Sequence, residues 1–291
     1  MVKPAWLKEL YPFESHFLTV ENDGHKNQLH FVDEGQKNAD PILMVHGNPT
    51  WSFYYRDLIK EFSNTNRVIA PDHIGCGFSD KPQNFEYMLE NHISNIESLV
   101  EHLKLKDITL VVHDWGGAIG FGLATRHPDL IKKIVILNTA AYTCDYIPPQ
   151  INICRTPILG EAVIRSFNAF AGPATHMAVE KPLSKNVKKG YLLPYNNYKN
   201  RIATAKFVTD IPMKRSHRSW KTLENIENKL SELTCPKLVL WGRKDFCFND
   251  YFLNRWKGIY PDAKYKVFEE AGHYVIEDAG KDLINEMRSF I

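Results

Sequence analysis

Asp114, in the stretch VVHDWGG, closes a short apolar run, and Trp115 and a glycine pair follow it. A carboxylate at such a position can attack without help. An unperturbed Asp has a pKa of about 3.9, so it is already ionised near neutral pH. Attack on a saturated carbon would leave an ester on Asp114, whereas a serine would leave an ether that water does not readily cleave. The group that departs takes negative charge with it and needs fixed donors in a dry pocket. The indole N–H of Trp115 is a donor with no acceptor lobe, and the amide of Asn48, in MVHGNPT, supplies another. His273, in AGHYVIED, is the candidate base for the water that opens the ester, and Asp245, in WGRKDF, is the acid that orients it. Backbone N–H groups of Trp115 and Asn48 would hold the oxyanion of that second step. Gly116 and Gly117 allow the close approach that a tight strand-to-helix turn requires.

Each residue alone has an ordinary structural reading. An Asp after a strand caps a helix, a lone His packs in a core, and the His46–Gly47 pair can be a plain turn. It is the set that points to chemistry, because Asn48, Asp114 and Asp245 each follow an apolar run and His273 comes after them in order. PILMVHGNPT, RVIAPDHIGCG, ITLVVHD, KKIVILNTA and PKLVLWGRKD are continuous apolar segments of the kind a parallel sheet buries on both faces. HFLTVEN and NQLHFVDEG predict an opening hairpin. Between the runs, NFEYMLENHISNIESLVEHLKL places Ile93, Ile96, Val100 and Leu103 on one helical face. Alternating strands and helices predict an α/β fold with right-handed crossovers, whose ligands bind beyond the carboxyl ends of the strands.

The rhythm breaks over residues 141–215, which read as helical and proline-punctuated. The division expected is a core of residues 1–140 and 216–291 with a helical cap, 141–215, inserted between them. The cap stripe of Ile158, Leu159, Val163, Ile164, Phe167 and Phe170 suits either packing on the sheet or an apolar substrate. For the acid, the loop ILNTAAYTCDY offers Asn138 and no Glu. Asp145 lies further along, at the cap entrance, so Asp245 is the better candidate.

With HGNPTWSFYYRDLI, PDHIGCGFSDKP, VVHDWGG, WGRKDF and AGHYVIED side by side, the chain resembles the haloalkane dehalogenases of the α/β-hydrolase superfamily. Asp114 stands in the nucleophile-elbow slot, and the order nucleophile, acid, histidine is the one that superfamily uses. The resemblance covers most of the chain and is weakest in the cap. It implies an α/β-hydrolase fold: a mostly parallel eight-stranded sheet with flanking helices and an inserted helical cap. It also implies Asp114, Asp245 and His273 as triad, Asn48 and Trp115 as halide holders, no cofactor, and a small apolar substrate giving up a halide ion. The same residues, with FNAF and NRIATAKFVTDIP in the cap, also look like the β-lactone decarboxylases of bacterial long-chain olefin synthesis. There Asp114 would open a strained lactone, Asn48 and Trp115 would face a carboxylate, and loss of carbon dioxide would yield a cis-olefin. The dehalogenase reading is slightly preferred from the motifs. An epoxide hydrolase would use cap tyrosines, for which Tyr191, Tyr195 and Tyr198 are available. A non-catalytic receptor on this fold usually shows a broken triad, and here every member is present.

Composition excludes several other classes. With 36 basic and 34 acidic residues, a net charge of +2 gives no reason to invoke nucleic acid. The lysines of LSKNVKKGY read as a solvated face. His46, His73, His113 and His273 are scattered without metal-ligand spacing, so no metal is expected. The five cysteines form no CxxC pair, and MVKPAWLKEL lacks the apolar core of a signal peptide. Reduced thiols in a cytoplasmic protein are therefore expected. No apolar run reaches the roughly 20 residues of a membrane helix. Oligomeric state is not legible.

Overall fold

The computed structural model describes residues 3–22 and 24–291. Eight strands form one sheet in the order β1-β2-β4-β3-β5-β6-β7-β8. They are β1 (His16–Asn22), β2 (His25–Glu34), β3 (Pro41–Val45), β4 (Arg67–Pro71), β5 (Ile108–Asp114), β6 (Ile131–Thr139), β7 (Lys237–Gly242) and β8 (Lys264–Phe268). β1 and β2 make the expected hairpin, and β2 pairs antiparallel with β4; every later pairing is parallel. The five apolar runs of the sequence are β3 to β7. All seven residues of β5 and all six of β7 are buried, as strands covered on both faces must be.

The helices in chain order are α1 (Ala5–Leu10), α2 (Arg56–Phe62), α3 (Leu89–Leu103), α4 (Trp115–Arg126), α5 (Pro149–Cys154), α6 (Leu159–Phe167), α7 (Ala171–Met177), α8 (Lys185–Leu192), α9 (Ile202–Thr209), α10 (Trp220–Lys229), α11 (Asp250–Ile259) and α12 (Val275–Phe290). One buried cluster joins α3, α4, α10 and α11 to one face of the sheet, and a second joins α1, α2 and α12 to the other. In α3 the predicted stripe holds: Ile93, Ile96 and Val100 are buried and Leu103 half-buried. Helices α5 to α9 fall between β6 and α10, and no strand lies among them.

Two features depart from the sequence reading. β8 was not read as a strand. It is an edge strand that alternates Lys264 and Lys266 with Tyr265 and Val267, so it has no continuous apolar run and carries the charges that discourage edge pairing. The α6 stripe does not pack on the sheet. Only Ile164 is buried and only Phe170 reaches a cavity, while Ile158, Leu159, Val163 and Phe167 face solvent.

Candidate active site

The sheet delivers Asn48, Asp114, Asp245 and His273 to one end, because β3, β5, β7 and β8 run parallel and these residues follow or close them at the same end. Asp114 sits where β5 stops and α4 starts, with φ 52° and ψ −128°. A non-glycine residue in that region is strained and persists only where its surroundings hold it. Here they do. The Thr139 hydroxyl donates to the Asp114 carbonyl, and the β5–β6 register slips between Val112 and Asp114, a bulge that turns the side chain out of the sheet. At Gly47 an added Cβ would fall 2.1 Å from Asp114 Oδ1, so a glycine is required for the carboxylate to sit where it does.

The carboxylate accepts the Asn48 backbone N–H at 2.6 Å and the backbone N–H of Trp115. Its other oxygen, Oδ2, lies 3.7 Å from His273 Nε2, close enough for charge attraction but too far for a good hydrogen bond. Burial pushes Asp114 above the ordinary carboxylate pKa, against the pull of His273 and the two backbone donors. On its far side, His273 Nδ1 meets Asp245 Oδ2 at 2.8 Å. Asp245 is itself held by the Cys247 and Phe248 N–H groups, at 2.6 and 3.0 Å. Burial pulls the His273 pKa down, but Asp245 and Asp114 together outweigh it and leave the imidazole above its ordinary value.

Trp115 lies over Phe207 of α9, ring centroids 5.4 Å apart, and its Nε1 makes no hydrogen bond within the described residues. Asn48 Nδ2 gives one hydrogen to the Thr204 carbonyl at 3.2 Å. That acceptor fixes which end of the amide is nitrogen and leaves the second N–H unspent. All five candidates except Asp245 line one cavity of about 230 Å³, with Phe170, Met177, Val208, Leu223 and Phe248 among its apolar walls. Asp245 stands just behind His273. Asp145 is exposed and lies outside this cluster. The cap tyrosines are engaged elsewhere: Tyr191 bonds Glu277, Tyr195 donates to the Thr50 carbonyl at 3.2 Å, and Tyr198 is half-exposed beneath Arg165. None of the three lines the cavity. Among the described residues no cluster of three His, Cys, Asp or Glu could hold a metal ion, and no helix is long and apolar enough to cross a membrane.

Sequence reasoning missed the residues that hold the candidates in place. Asn138 clamps both backbone groups of Gly242, at 2.8 and 3.0 Å, and so fixes the turn that leads to Asp245. His113 Nε2 bonds the His273 carbonyl at 2.9 Å. Asp278 accepts the N–H of Gly272 at 2.8 Å and those of Glu180 and Lys181 at 3.0 and 2.9 Å, tying the His273 loop to the chain between α7 and α8. Asn138 drew notice only as a residue standing near the alternative acid position, and Asp278 left the signal of an acid in the first turn of a helix, where it reads as a cap.

Comparison with known proteins shows the family to which the chain belongs. The family model described as alpha/beta hydrolase fold matches residues 40–153. The chain is 43% identical to a cis-3-alkyl-4-alkyloxetan-2-one decarboxylase of Shewanella oneidensis, over 98% of this chain and 90% of that protein. It is 31% identical to haloalkane dehalogenase 2 of Mycobacterium bovis, over 93% of this chain and 92% of that protein. The crystal structure of the haloalkane dehalogenase DatA from Agrobacterium tumefaciens superposes with a TM-score of 0.84 at 25% identity, covering 95% of this chain and 96% of that one.

Proposed function

Since the chain belongs to the alpha/beta hydrolase fold family, in the group that holds haloalkane dehalogenases and oxetan-2-one decarboxylases, we propose that it is a β-lactone decarboxylase acting on cis-3,4-dialkyl-oxetan-2-ones. One observation carries the choice within the group. The decarboxylase relative is 43% identical over nearly the whole chain, and the dehalogenase relative 31%. This reverses the slight preference that the motifs alone support.

In this reading Asp114 Oδ2 attacks the ring carbon that bears the ring oxygen. The carbon–oxygen bond breaks, and a carboxylate is set free on the neighbouring carbon. Trp115 Nε1 and the unspent Asn48 N–H receive that carboxylate, as fixed donors in an apolar cavity. The bond to the carboxylate then breaks and carbon dioxide leaves. Its electron pair becomes the new carbon–carbon double bond, and Asp114 departs as a carboxylate. Atoms and charge balance, with lactone giving alkene plus carbon dioxide, and no water is consumed. Attack inverts the carbon, and anti elimination then returns the original relation of the alkyl groups, so a cis lactone gives a cis alkene. His273, held by Asp245, supplies positive charge beside Asp114 at both steps.

Dehalogenation is the second reading, favoured by the same free indole donor. There the anion is a halide, and His273 takes a proton from water, which attacks the ester carbonyl of Asp114. The two separate cleanly in oxygen-18 water. Supplied with a cis-dialkyl β-lactone, the protein is expected to release cis alkene, with no heavy oxygen entering the peptide that holds Asp114. Supplied with a bromoalkane of similar size, it is expected to release little bromide. Rapid bromide release with heavy oxygen in Asp114, and no alkene, would overturn the decarboxylase reading.

A further inference from the structure

Helix α6 is amphipathic in the wrong sense for a helix that only packs on its own protein. Its charged residues point inward: Glu161 accepts from Arg165 at 2.7 Å and from Lys206 of α9 at 2.8 Å, and Arg165 is buried. Its apolar residues point outward. Leu159, Val163 and Phe167 recur at four-residue spacing along the exposed side, and Ile158 precedes them, with Phe167 80% and Ile158 89% exposed. Ile158 adds a second cost, since a β-branched residue there holds φ 64°. Single exposed apolar residues are ordinary, but a continuous stripe marks an interaction surface.

The stripe continues to the mouth of the cavity. Helix α5 has Ile151 and Cys154 in the cavity wall, while Ile153, between them, is exposed. Met177, half-exposed, lines the cavity as well. Charge points to what covers this face. Of the eleven Lys and Arg in residues 141–215, four belong to α8 and the residues just before it, and Arg165, Arg201 and Lys206 bond within the protein, which leaves Arg155, Lys199, Lys214 and Arg215 near this face. Exposed Lys214 shares a shallow depression with Arg155 at the α5–α6 turn, and exposed Lys199 belongs to the turn that α6 packs against at its other end. A second copy would meet this face with an equal excess of positive charge, because a two-fold contact sets a patch against itself. An apolar stripe flanked by basic residues instead fits an anionic lipid surface, into which such a helix sinks to the depth of the acyl boundary.

We propose that the α5–α6 face of the cap docks on anionic membrane surfaces, and sets the cavity mouth where long-chain apolar molecules exchange between the bilayer and the cavity. Docking is independent of which reaction the site performs, and it is read without turnover. The full chain is floated with vesicles of equal phosphatidylglycerol and phosphatidylcholine, and with vesicles of phosphatidylcholine alone. It is expected to float with the anionic vesicles and to lose about tenfold in partition between low salt and roughly 0.5 M salt. The double variant Leu159→Ser, Phe167→Ser is expected to lose about tenfold or more at low salt, with an unchanged melting temperature, since both side chains are already in water. The charge variant Lys199→Glu, Lys214→Glu is expected to lose binding to the anionic vesicles. Failure of the native chain to float, or flotation of the double serine variant equal to it, overturns the proposal. So does a dimer in sedimentation that the serine pair dissolves while vesicles are ignored, which would assign the face to a second copy. A purified protein partner that competes for the face in the absence of vesicle binding overturns it equally.

Discussion

Two buried aspartates end neighbouring parts of the same sheet, and they are opposites. Asp72 follows β4 and accepts from Ser52 N at 2.7 Å, Phe78 N at 2.8 Å and His30 Nδ1 at 2.8 Å. Burial pushes its pKa up, but His30 and those donors overcome it, and Asp72 stays well below the usual carboxylate range. Asp114 follows β5, and burial wins: its pKa is raised. The difference is in the hydrogen bonds. Both Asp72 oxygens are bonded directly, whereas Asp114 Oδ2 has its histidine at 3.7 Å and a cavity in front of it. A carboxylate that is fully bonded anchors a loop, and one that is left short of partners has lone pairs to attack with.

The largest expected effect breaks one side of this comparison. Asp114→Ala should lower alkene formation by about 10⁴-fold or more, as loss of a covalent nucleophile does, while denaturant unfolding shows little or no loss of stability, because the variant removes a charge that burial disfavours. An active Asp114→Ala protein would mean that the attacking group lies elsewhere. Next in size is Asp72→Asn. Leaving the partners of a buried charge unmatched should cost about 3–5 kcal/mol of stability, while the folded fraction keeps its turnover within about tenfold. The sign of the pH dependence follows from the lowered pKa. Asp72 stabilises the fold above the ordinary carboxylate value of about 3.9, and that stabilisation is lost as pH falls below it towards the folded-state value. Urea unfolding of the native chain should therefore weaken below about pH 4 more steeply than that of Asp72→Asn. Equal slopes would show that Asp72 is not the anchor.

The same contrast marks what was legible in the sequence. Strands β3 to β7 were readable because a strand buried on both faces has no choice but a continuous apolar run, and each run ended on a residue of unusual type. β8 was not, because an edge strand is half wet and shows lysine at alternate positions. Asp114, Trp115, Asn48, Asp245 and His273 stood out by position and order, and the structure gathers them at one end of the sheet. Asp72 is as buried and as constrained as Asp114, yet nothing in PDHIGCG separates a bonded aspartate from an unbonded one. Its partners Ser52 and His30 arrive from other strands and turns. The positioning roles of Asn138 and His113 were hidden for the same reason, since they act through backbone groups more than a hundred residues away. The stripe Ile158, Leu159, Val163, Phe167 was visible as amphipathic, but periodicity does not say which side of a helix faces water, and here the apolar side does.

The smallest expected effect sharpens the comparison by moving Asp114 towards a still higher pKa. His273 is the group whose charge most opposes the burial of Asp114. Asp114 must be ionised to attack, so kcat/KM should fall on the acid side as pH drops through its raised pKa, and that limb should lie above the ordinary carboxylate value. His273→Gln removes the opposing charge and should shift the limb to higher pH, with the fold intact. If no water is consumed, the variant still turns over, about 10 to 100-fold more slowly, because it has lost a charge beside the reacting oxygen and not a proton acceptor. If hydrolysis were the true second step, the variant given a haloalkane would stop after one equivalent of halide, with the alkyl group retained on Asp114 and visible by intact mass. A limb that stays in place while the rate falls would instead assign His273 to packing alone.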